Sequence, residues 1–179
     1  MFQLRETFLQ GCVELIPNIF TDHRGESIKT YHSDAFKNIG ISHDFKEDLM
    51  VTSQRGVLRG LHLQYPPKEQ AKLIYCVRGS IFDVAVDVRK TSPTYGQFVS
   101  FHVDAEKHNL VYIPSGFAHG YLVLEDDTTV VYKMSSVYSP ELESGFLWNS
   151  LNIDWPITEP ILSYKDSQLP LFKDFRSAF

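Results

Sequence analysis

Short runs of apolar residues, many of them alternating with polar ones, dominate the chain from about residue 45 onward. Each run is rich in β-branched and aromatic residues and ends at Gly, Pro, Asn or Asp, which is typical of strands separated by turns. The alternation is clearest in residues 82–88, where acidic residues fall out of phase with part of the apolar set. Many short strands of this kind predict an all-β sandwich or barrel. The predicted strands are residues 72–77, 80–88, 96–103, 110–113, 120–124 and 128–134.

The two ends of the chain have different patterns. The first 20 residues predict one or two opening strands; a turn at 21–25, a strand at 26–31 and a short helix at 33–40 follow, the helix with a Ser or Asp cap and a Gly stop. The tail after residue 150 is rich in Pro and aromatic residues and is predicted to pack on the barrel as a lid or arm. We therefore divide a single domain, 1–179, into an N-terminal arm (about 1–45), a barrel core (about 46–150) and a C-terminal arm (about 151–179).

Composition narrows the class of protein. A chain of 179 residues, 43% hydrophobic, is long enough for one domain with a sizeable core. The net charge of −5, without a basic patch, argues against nucleic acid as a partner. There is no apolar stretch of membrane-spanning length and no signal-peptide core. The two cysteines, Cys12 and Cys76, form no disulfide framework, which fits a cytoplasmic protein.

Residues 55–64 carry the first candidate chemistry. This run places Arg59 and His62 among apolar residues, together with Gly56 and Gly60. Histidine is suited to proton transfer near neutral pH, and arginine is suited to phosphate or carboxylate. Taken alone, a histidine beside apolar residues is more often structural than catalytic.

A second histidine, His119, lies in residues 113–120. Two histidine-bearing segments at this separation resemble the two half-motifs of the cupin superfamily, which implies a jelly roll (a double-stranded β-helix barrel) with short peripheral helices. Where metal-binding cupins have a second histidine, this chain has Gln64, a poorer ligand. We therefore expect no metal and no other cofactor. Tyr132 is a candidate proton donor, although a strand tyrosine is more often a core residue.

The full set of motifs resembles the dTDP-4-dehydrorhamnose 3,5-epimerase family. The resemblance implies an isomerase that inverts C3, C5 or both in a nucleotide-linked 4-keto-6-deoxyhexose, in deoxysugar biosynthesis such as that of dTDP-L-rhamnose or related surface polysaccharides, including lipopolysaccharide O-antigen. It also implies a homodimer with a swapped N-terminal segment. The matching segments are residues 20–25, 56–62, 70–72, 82–89, 92–94, 113–120 and 131–133, Tyr138, Glu143, and residues 154–156 and 162–166.

The resemblance also implies roles for individual residues. His62 is the expected base, Asp166 its hydrogen-bonding partner and Tyr132 the acid on the other face of the sugar. Lys72 is expected to stabilise the enolate at the C4 oxygen. The expected substrate-binding residues are Arg24 and Arg59 at the diphosphate, with Lys29, Glu47, Asp48, Leu49, His119, Tyr138, Glu143 and Lys165.

The chain departs from the family pattern at the nucleotide end. Where the family usually has an aromatic residue and a glutamate after residues 24–25, this chain has Ser27 and Lys29. The usual Gln-Asp-Asn is residues 47–49, Glu-Asp-Leu, here. These changes allow a CDP or GDP carrier, or a neighbour such as Glu26 that takes over the contact. A C3-only epimerase, a sugar-nucleotide ketoisomerase and a non-catalytic sugar-binding cupin also remain open.

Overall fold

A computed structural model describes residues 1–179. It consists of thirteen β-strands, two short α-helices and two single 3₁₀ turns, which confirms the all-β prediction. No helix in it is long and apolar enough to cross a membrane. The strands are β1 (Phe2–Glu6), β2 (Val13–Pro17), β3 (Ile19–Asp22), β4 (Gly25–Ile28), β5 (Glu47–Ser53), β6 (Leu58–Gln64), β7 (Lys72–Arg78), β8 (Ser80–Asp87), β9 (Phe98–Asp104), β10 (Leu110–Ile113), β11 (Phe117–Val123), β12 (Thr128–Met134) and β13 (Glu143–Gly145); the helices are α1 (Ser33–Asn38) and α2 (Tyr164–Ser167), and the 3₁₀ turns are Pro140–Leu142 and Phe172–Asp174.

Two antiparallel sheets form the barrel. One has six strands in the order β1-β2-β10-β7-β12-β5, and the other has five in the order β13-β6-β11-β8-β9. Buried side chains from both sheets meet in the main core, among them Ile74 and Val111 from the first and Ile81 and Ala85 from the second. Removing these apolar surfaces from water is the main force that holds the sheets face to face. This arrangement is the cupin jelly roll.

Strand β8 explains the mixed pattern seen in residues 82–88. Ile81 and Ala85 point into the core between the sheets, while Val84 and Val86 belong to a second cluster on the outer face. Phe175 of the C-terminal segment packs in that outer cluster. The strand is therefore buried on both sides, and the acidic residues within it must find polar partners.

The N-terminal region is only partly an arm. Strands β1 and β2 belong to the six-stranded sheet, so residues 2–17 form part of the barrel. Strands β3 and β4 pair only with each other, in a separate two-stranded hairpin. The helix α1 is capped by His32, whose side chain accepts a hydrogen bond from the Ala35 N–H, and not by Ser33 or Asp34 as predicted. The cap lies one residue earlier because the imidazole supplies the acceptor.

Residues 55–64 form mainly a strand, β6, which pattern reasoning did not predict. Its neighbour β11 starts at Phe117, not at residue 120, so His119 also lies within a strand. The two backbones approach closely: a Cβ on Gly60, which has φ +114°, would lie 2.6 Å from the carbonyl oxygen of His119. Glycine is required here, and it sets the register that places His62 opposite His119.

The C-terminal segment is tied to the start of β6. The Leu58 N–H donates to the Ile161 carbonyl at 3.0 Å, and the Ile161 N–H donates to the Gly56 carbonyl at 2.8 Å. Shortly afterwards Ser163 caps α2 by accepting from the Asp166 N–H at 3.0 Å. This connection brings Asp166 beside His62.

Candidate active site

His62 on β6 and Asp166 on α2 form a hydrogen-bonded pair. The Nε2 atom of His62 lies 2.7 Å from Oδ1 of Asp166, and the Gly60 N–H donates to Oδ2 of the same carboxylate at 3.3 Å. Burial acts to raise the pKa of Asp166, but hydrogen bonds, first from His62, outweigh it and lower the pKa. A neutral imidazole that donates from Nε2 to this carboxylate has Nδ1 left as its basic nitrogen.

His119 on β11 forms a second such pair with Asp83 on β8. Its Nε2 atom lies 2.6 Å from Oδ2 of Asp83, and both side chains are buried. Burial lowers the pKa of His119, although the Asp83 carboxylate opposes this, and the nearby positive charges of Lys72 and His62 lower it further. A neutral His119 that donates from Nε2 to Asp83 has Nδ1 left to accept a hydrogen bond.

Tyr132 and Lys72 face these histidines from the other sheet. Tyr132 lies on β12, with its ring centroid 5.8 Å from that of His119. Burial, followed by the neighbouring Tyr121, raises the pKa of Tyr132 well above its ordinary value. Burial lowers the pKa of Lys72 on β7 to about 8, although Glu143 and Asp83 favour its charge. The site thus combines a protonated phenol with an amine that titrates near neutral pH.

Glu143, Tyr138 and Lys165 form a polar group at the cavity. The Tyr138 hydroxyl and the Lys165 ammonium both donate to Oε2 of Glu143. Burial would raise the pKa of Glu143, but these two hydrogen bonds lower it, so the carboxylate is charged. Oε2 of Glu47 accepts from the Tyr138 N–H at 2.7 Å, which anchors this group to β5.

A cavity of about 150 Å³ brings most of the predicted residues together. Asp166 lies behind His62, and Lys165 reaches the cavity through Glu143. Asp48 is on the surface, paired with Lys133 at 2.7 Å. The predicted residues that line the cavity are Leu49, Arg59, His62, Lys72, His119, Tyr132, Tyr138 and Glu143; Leu63, Gln64, Gln70 and Met134 complete the lining.

Arg24 and Lys29 do not line this cavity in the single chain. Arg24 is on the exposed β3–β4 hairpin, where its guanidinium is paired with Asp22 at 2.5 Å. Lys29 is exposed just after the hairpin. The hairpin residues Ile19 and Phe20 are 45% and 60% exposed, which is high for apolar side chains.

Gln64, which stands where metal-binding cupins have a second histidine, forms hydrogen bonds within the fold. Its Nε2 donates to the Val137 carbonyl at 3.1 Å and to the Lys68 carbonyl, and its Oε1 accepts from the Ser139 N–H at 2.8 Å. The amide thus links β6 to the loop that carries Tyr138. A side chain with both donors and an acceptor in use has little capacity to act as a ligand.

Sequence reasoning missed Asp83 and Tyr121. The available signal for Asp83 was its place out of phase with the apolar residues of β8, because a buried carboxylate requires a partner. Tyr121 follows His119 by two residues on the same strand and therefore points to the same side. Its apolar surroundings made it resemble an ordinary core aromatic.

Two histidine–carboxylate pairs, a buried amine and a phenol in a jelly-roll cavity are the residues of an acid–base enzyme. The family model described as dTDP-4-dehydrorhamnose 3,5-epimerase matches residues 6–174. The chain belongs to this family of isomerases that act on carbohydrates.

Individual relatives support this assignment. The chain is 44% identical over 161 residues to a dTDP-4-dehydrorhamnose 3,5-epimerase of Shigella flexneri, covering 88% of this chain and 89% of that protein. It superposes with a TM-score of 0.93 on the crystal structure of a Bacillus anthracis dTDP-4-dehydrorhamnose 3,5-epimerase with TDP and PPi bound, at 41% identity and over 96% and 99% of the two chains. A 3'-monoepimerase of Streptomyces bikiniensis in complex with dTDP-quinovose is also similar, with a TM-score of 0.85, 38% identity and coverage of 92% and 85%.

Proposed function

We propose that this protein inverts C3 and C5 of a dTDP-linked 4-keto-6-deoxyhexose by proton transfer. One observation carries the proposal. His62 and Tyr132 belong to different sheets and line the same cavity from opposite sides. Epimerisation requires a base on one face of the sugar ring and an acid on the other, which this arrangement supplies.

His62 removes the proton in this mechanism. Hydrogens on C3 and C5 are acidic because they flank the C4 ketone, so a basic nitrogen can abstract one and leave an enolate. Asp166 holds the imidazole through Nε2 and stabilises the imidazolium that forms. Tyr132 then gives its proton to the same carbon from the opposite face, and the centre is inverted.

Lys72 stabilises the enolate. Its ammonium is buried, so its attraction for a developing oxyanion is less weakened by water than that of a surface charge. No hydrogen bond to another protein group competes for this ammonium, and the cavity is therefore prepared for negative charge on the substrate.

The nucleotide end of the substrate extends past Arg59 at the cavity lining. The Nε and Nη2 atoms of Arg59 donate to Ser53 Oγ, which fixes the guanidinium for contact with the diphosphate. His119, Tyr138 and Glu143 contact the sugar. We assign Arg24 and Lys29 to the nucleotide site of a second subunit, because their hairpin is exposed and lies outside this chain's cavity.

The experiment that tests the reaction is incubation with dTDP-4-keto-6-deoxyglucose in deuterated water. Deuterium at both C3 and C5 of an inverted product is the expected result. Deuterium at C3 alone would indicate a 3-epimerase, as in the monoepimerase relative. A relocated carbonyl would indicate a ketoisomerase, and tight binding without exchange would indicate a binding protein.

Two substitutions test the assigned roles. His62→Ala is expected to abolish deuterium exchange while the protein still binds the substrate. Tyr132→Phe is expected to reduce net inversion more than the first exchange, because the base is still present. Substantial exchange in His62→Ala, or equal losses in Tyr132→Phe, would contradict the respective assignment.

A homodimer with exchanged N-terminal hairpins can be tested by mixing two variants. Arg24→Glu removes the contribution of the hairpin, and His62→Ala removes the base. If the hairpin serves the other subunit, exchanging subunits between the two inactive proteins restores one intact site in each mixed dimer, and about a quarter of wild-type activity returns. No recovery after verified subunit exchange would assign the hairpin to its own chain.

The nucleotide carrier requires its own test. Leu49 lines the cavity and Lys29 lies just after the hairpin, so these two of the departures from the family pattern lie in regions that we assign to the nucleotide. We favour dTDP because of the family, with CDP or GDP as the alternative that Lys29 supports. Titration with dTDP, UDP, CDP and GDP decides between them, and a clear preference for dTDP removes the alternative.

We place the activity in the cytoplasm and in the synthesis of a deoxysugar for surface polysaccharides. Both cysteines are buried free thiols, which suits a reducing compartment. Deletion of the gene, followed by analysis of the cell's polysaccharide sugars, tests the pathway.

A further inference from the structure

Tyr121 carries a buried hydroxyl without a hydrogen-bond partner. The residue is fully buried on β11, and no protein group lies within hydrogen-bonding distance and geometry of its Oη atom. Burying such a hydroxyl costs stability, and phenylalanine would fill the same space without that cost. A polar atom kept at a cost to stability is a candidate for a functional role.

The position of this hydroxyl connects it to the proposed acid. Tyr121 is in register with Arg59 on one neighbouring strand and with Asp83 on the other. Its ring centroid lies 6.1 Å from that of Tyr132, with the two planes at 50°, and 6.1 Å from that of His119. The two phenol rings are therefore neighbours: Tyr132 lines the cavity, and Tyr121 packs beside it in the main core.

The two phenols also affect one another's ionisation. Burial raises the pKa of Tyr121, while the Tyr132 hydroxyl and the Arg59 guanidinium oppose this, and Asp83 and Cys76 add to it. Burial and then Tyr121 raise the pKa of Tyr132. In such a pair the remaining O–H stabilises the first anion, and a second ionisation is strongly opposed.

We propose that Tyr121 is a positioning residue for Tyr132, donating a hydrogen bond to the Tyr132 oxygen as that oxygen gives up its proton. The inference rests on the proposed function, in which Tyr132 is the acid. In the step itself the O–H bond of Tyr132 breaks and a C–H bond forms at the substrate carbon. The negative charge of the enolate passes to the Tyr132 oxygen, and Tyr121 keeps its own proton.

In this role the Tyr121 hydroxyl is close enough to Tyr132 to affect its ionisation, but it forms a well-aligned hydrogen bond only as charge develops. A donor that forms its bond only when charge develops stabilises the transition state more than the ground state, which is the requirement for a rate effect. The nearby Arg59 guanidinium further favours an anion on the pair.

Tyr121→Phe tests the proposal in the intact enzyme, with two rates measured on the same 4-keto-6-deoxy sugar nucleotide. One is deuterium incorporation into the recovered substrate and product, and the other is net inversion. The ratio of inversion to incorporation is expected to fall about tenfold or more, with incorporation nearly unchanged, as expected for a lost hydrogen bond to a charged group. A purely structural residue would lower both rates together and leave the ratio constant.

Matched variants complete the design. Tyr112→Phe removes another buried phenol hydroxyl, on β10 outside this cavity, and is expected to leave the ratio unchanged. Tyr132→Phe is expected to lower the ratio at least as much as Tyr121→Phe, and the double variant to lower it no further. Because the removed hydroxyl has no partner, Tyr121→Phe is expected to unfold at the same temperature as the wild type or a higher one.

The outcomes separate the two proposals. If Tyr132→Phe leaves the ratio intact, the assignment of the acid fails, and the inference fails with it. If Tyr132→Phe lowers the ratio but Tyr121→Phe does not, or if the losses add in the double variant, only the role of Tyr121 is overturned.

Discussion

His62 and His119 are directly opposed on adjacent antiparallel strands, and each imidazole bonds a different carboxylate through its Nε2 atom. The Asp166 pair is partly open to the cavity, whereas the Asp83 pair is buried. Two similar side-chain pairs therefore have different environments, which makes each a natural control for the other.

Asp166→Asn is expected to lower the rate of substrate deuterium exchange by at least about a hundredfold. An amide preserves the size of the side chain but removes the charge that fixes the tautomer and stabilises the imidazolium. Asp83→Asn is the matched control, and its exchange rate is expected to fall far less because His119 does not remove the proton. Equal losses in the two variants would contradict the assignment of His62 as the base.

Lys72 is expected to give the reaction an alkaline limit. Because its pKa is lowered to about 8, the ammonium loses its proton as the pH rises through this value, and kcat/KM is expected to fall above it. Lys72→Met is expected to lose about a hundredfold or more in kcat/KM and to show no fall in kcat/KM at alkaline pH. If kcat/KM of Lys72→Met still falls at alkaline pH, the fall belongs to the ionisation of another group.

The lowered pKa of Lys72 also predicts how the free energy of unfolding depends on pH. The folded protein releases the Lys72 proton more readily than the unfolded chain, whose lysine has a pKa near 10.5. Holding the charge therefore costs stability below about pH 8, and this cost is relieved as the pH rises towards 10.5. Urea unfolding of wild type and Lys72→Met across pH 7–10 measures the difference, which is expected to narrow with rising pH.

Asp87 is expected to stabilise the fold at neutral pH. Burial would raise its pKa, but hydrogen bonds from Arg89, Ser92 and Thr94 prevail and lower it to about 2. Since the folded-state pKa lies below the ordinary value of 3.8, this stability is present above pH 4 and is lost as the pH falls towards 2. Asp87→Asn is expected to cost about 2 kcal/mol at pH 7 and less at pH 3 in urea unfolding. A constant cost would contradict the charge argument.

Gly60→Ala tests the close approach of β6 and β11. The substitution adds a Cβ that would lie 2.6 Å from a backbone oxygen, at a φ of +114°. We expect a loss of about 3 kcal/mol or more in the free energy of unfolding. Gly40→Ala is the control, because it also has a positive φ but nothing within 4 Å of the added atom, and it is expected to lose only about 1 kcal/mol.

The sequence predicted the fold class, most cavity residues and the strands with clean alternation. It did not predict β5 and β6, because β5 is an edge strand with little apolar alternation and β6 carries glycines that normally interrupt strands. Nor did it predict the bond between His119 and Asp83, residues 36 positions apart. That pair depends on the register of β8 and β11, which alternation along either strand alone does not determine.

The tie between the C-terminal segment and β6 has a consequence for how the enzyme matures. The last strand of the barrel ends at Gly145, but the carboxylate that orients His62 is at Asp166. A chain emerging from the ribosome therefore has all the barrel strands before the partner of His62, the proposed base, has been made. A chain clipped by a protease after residue 160 would keep every barrel strand but lose Asp166 and Phe175, so we expect it to be less stable and to turn over a nucleotide sugar more slowly.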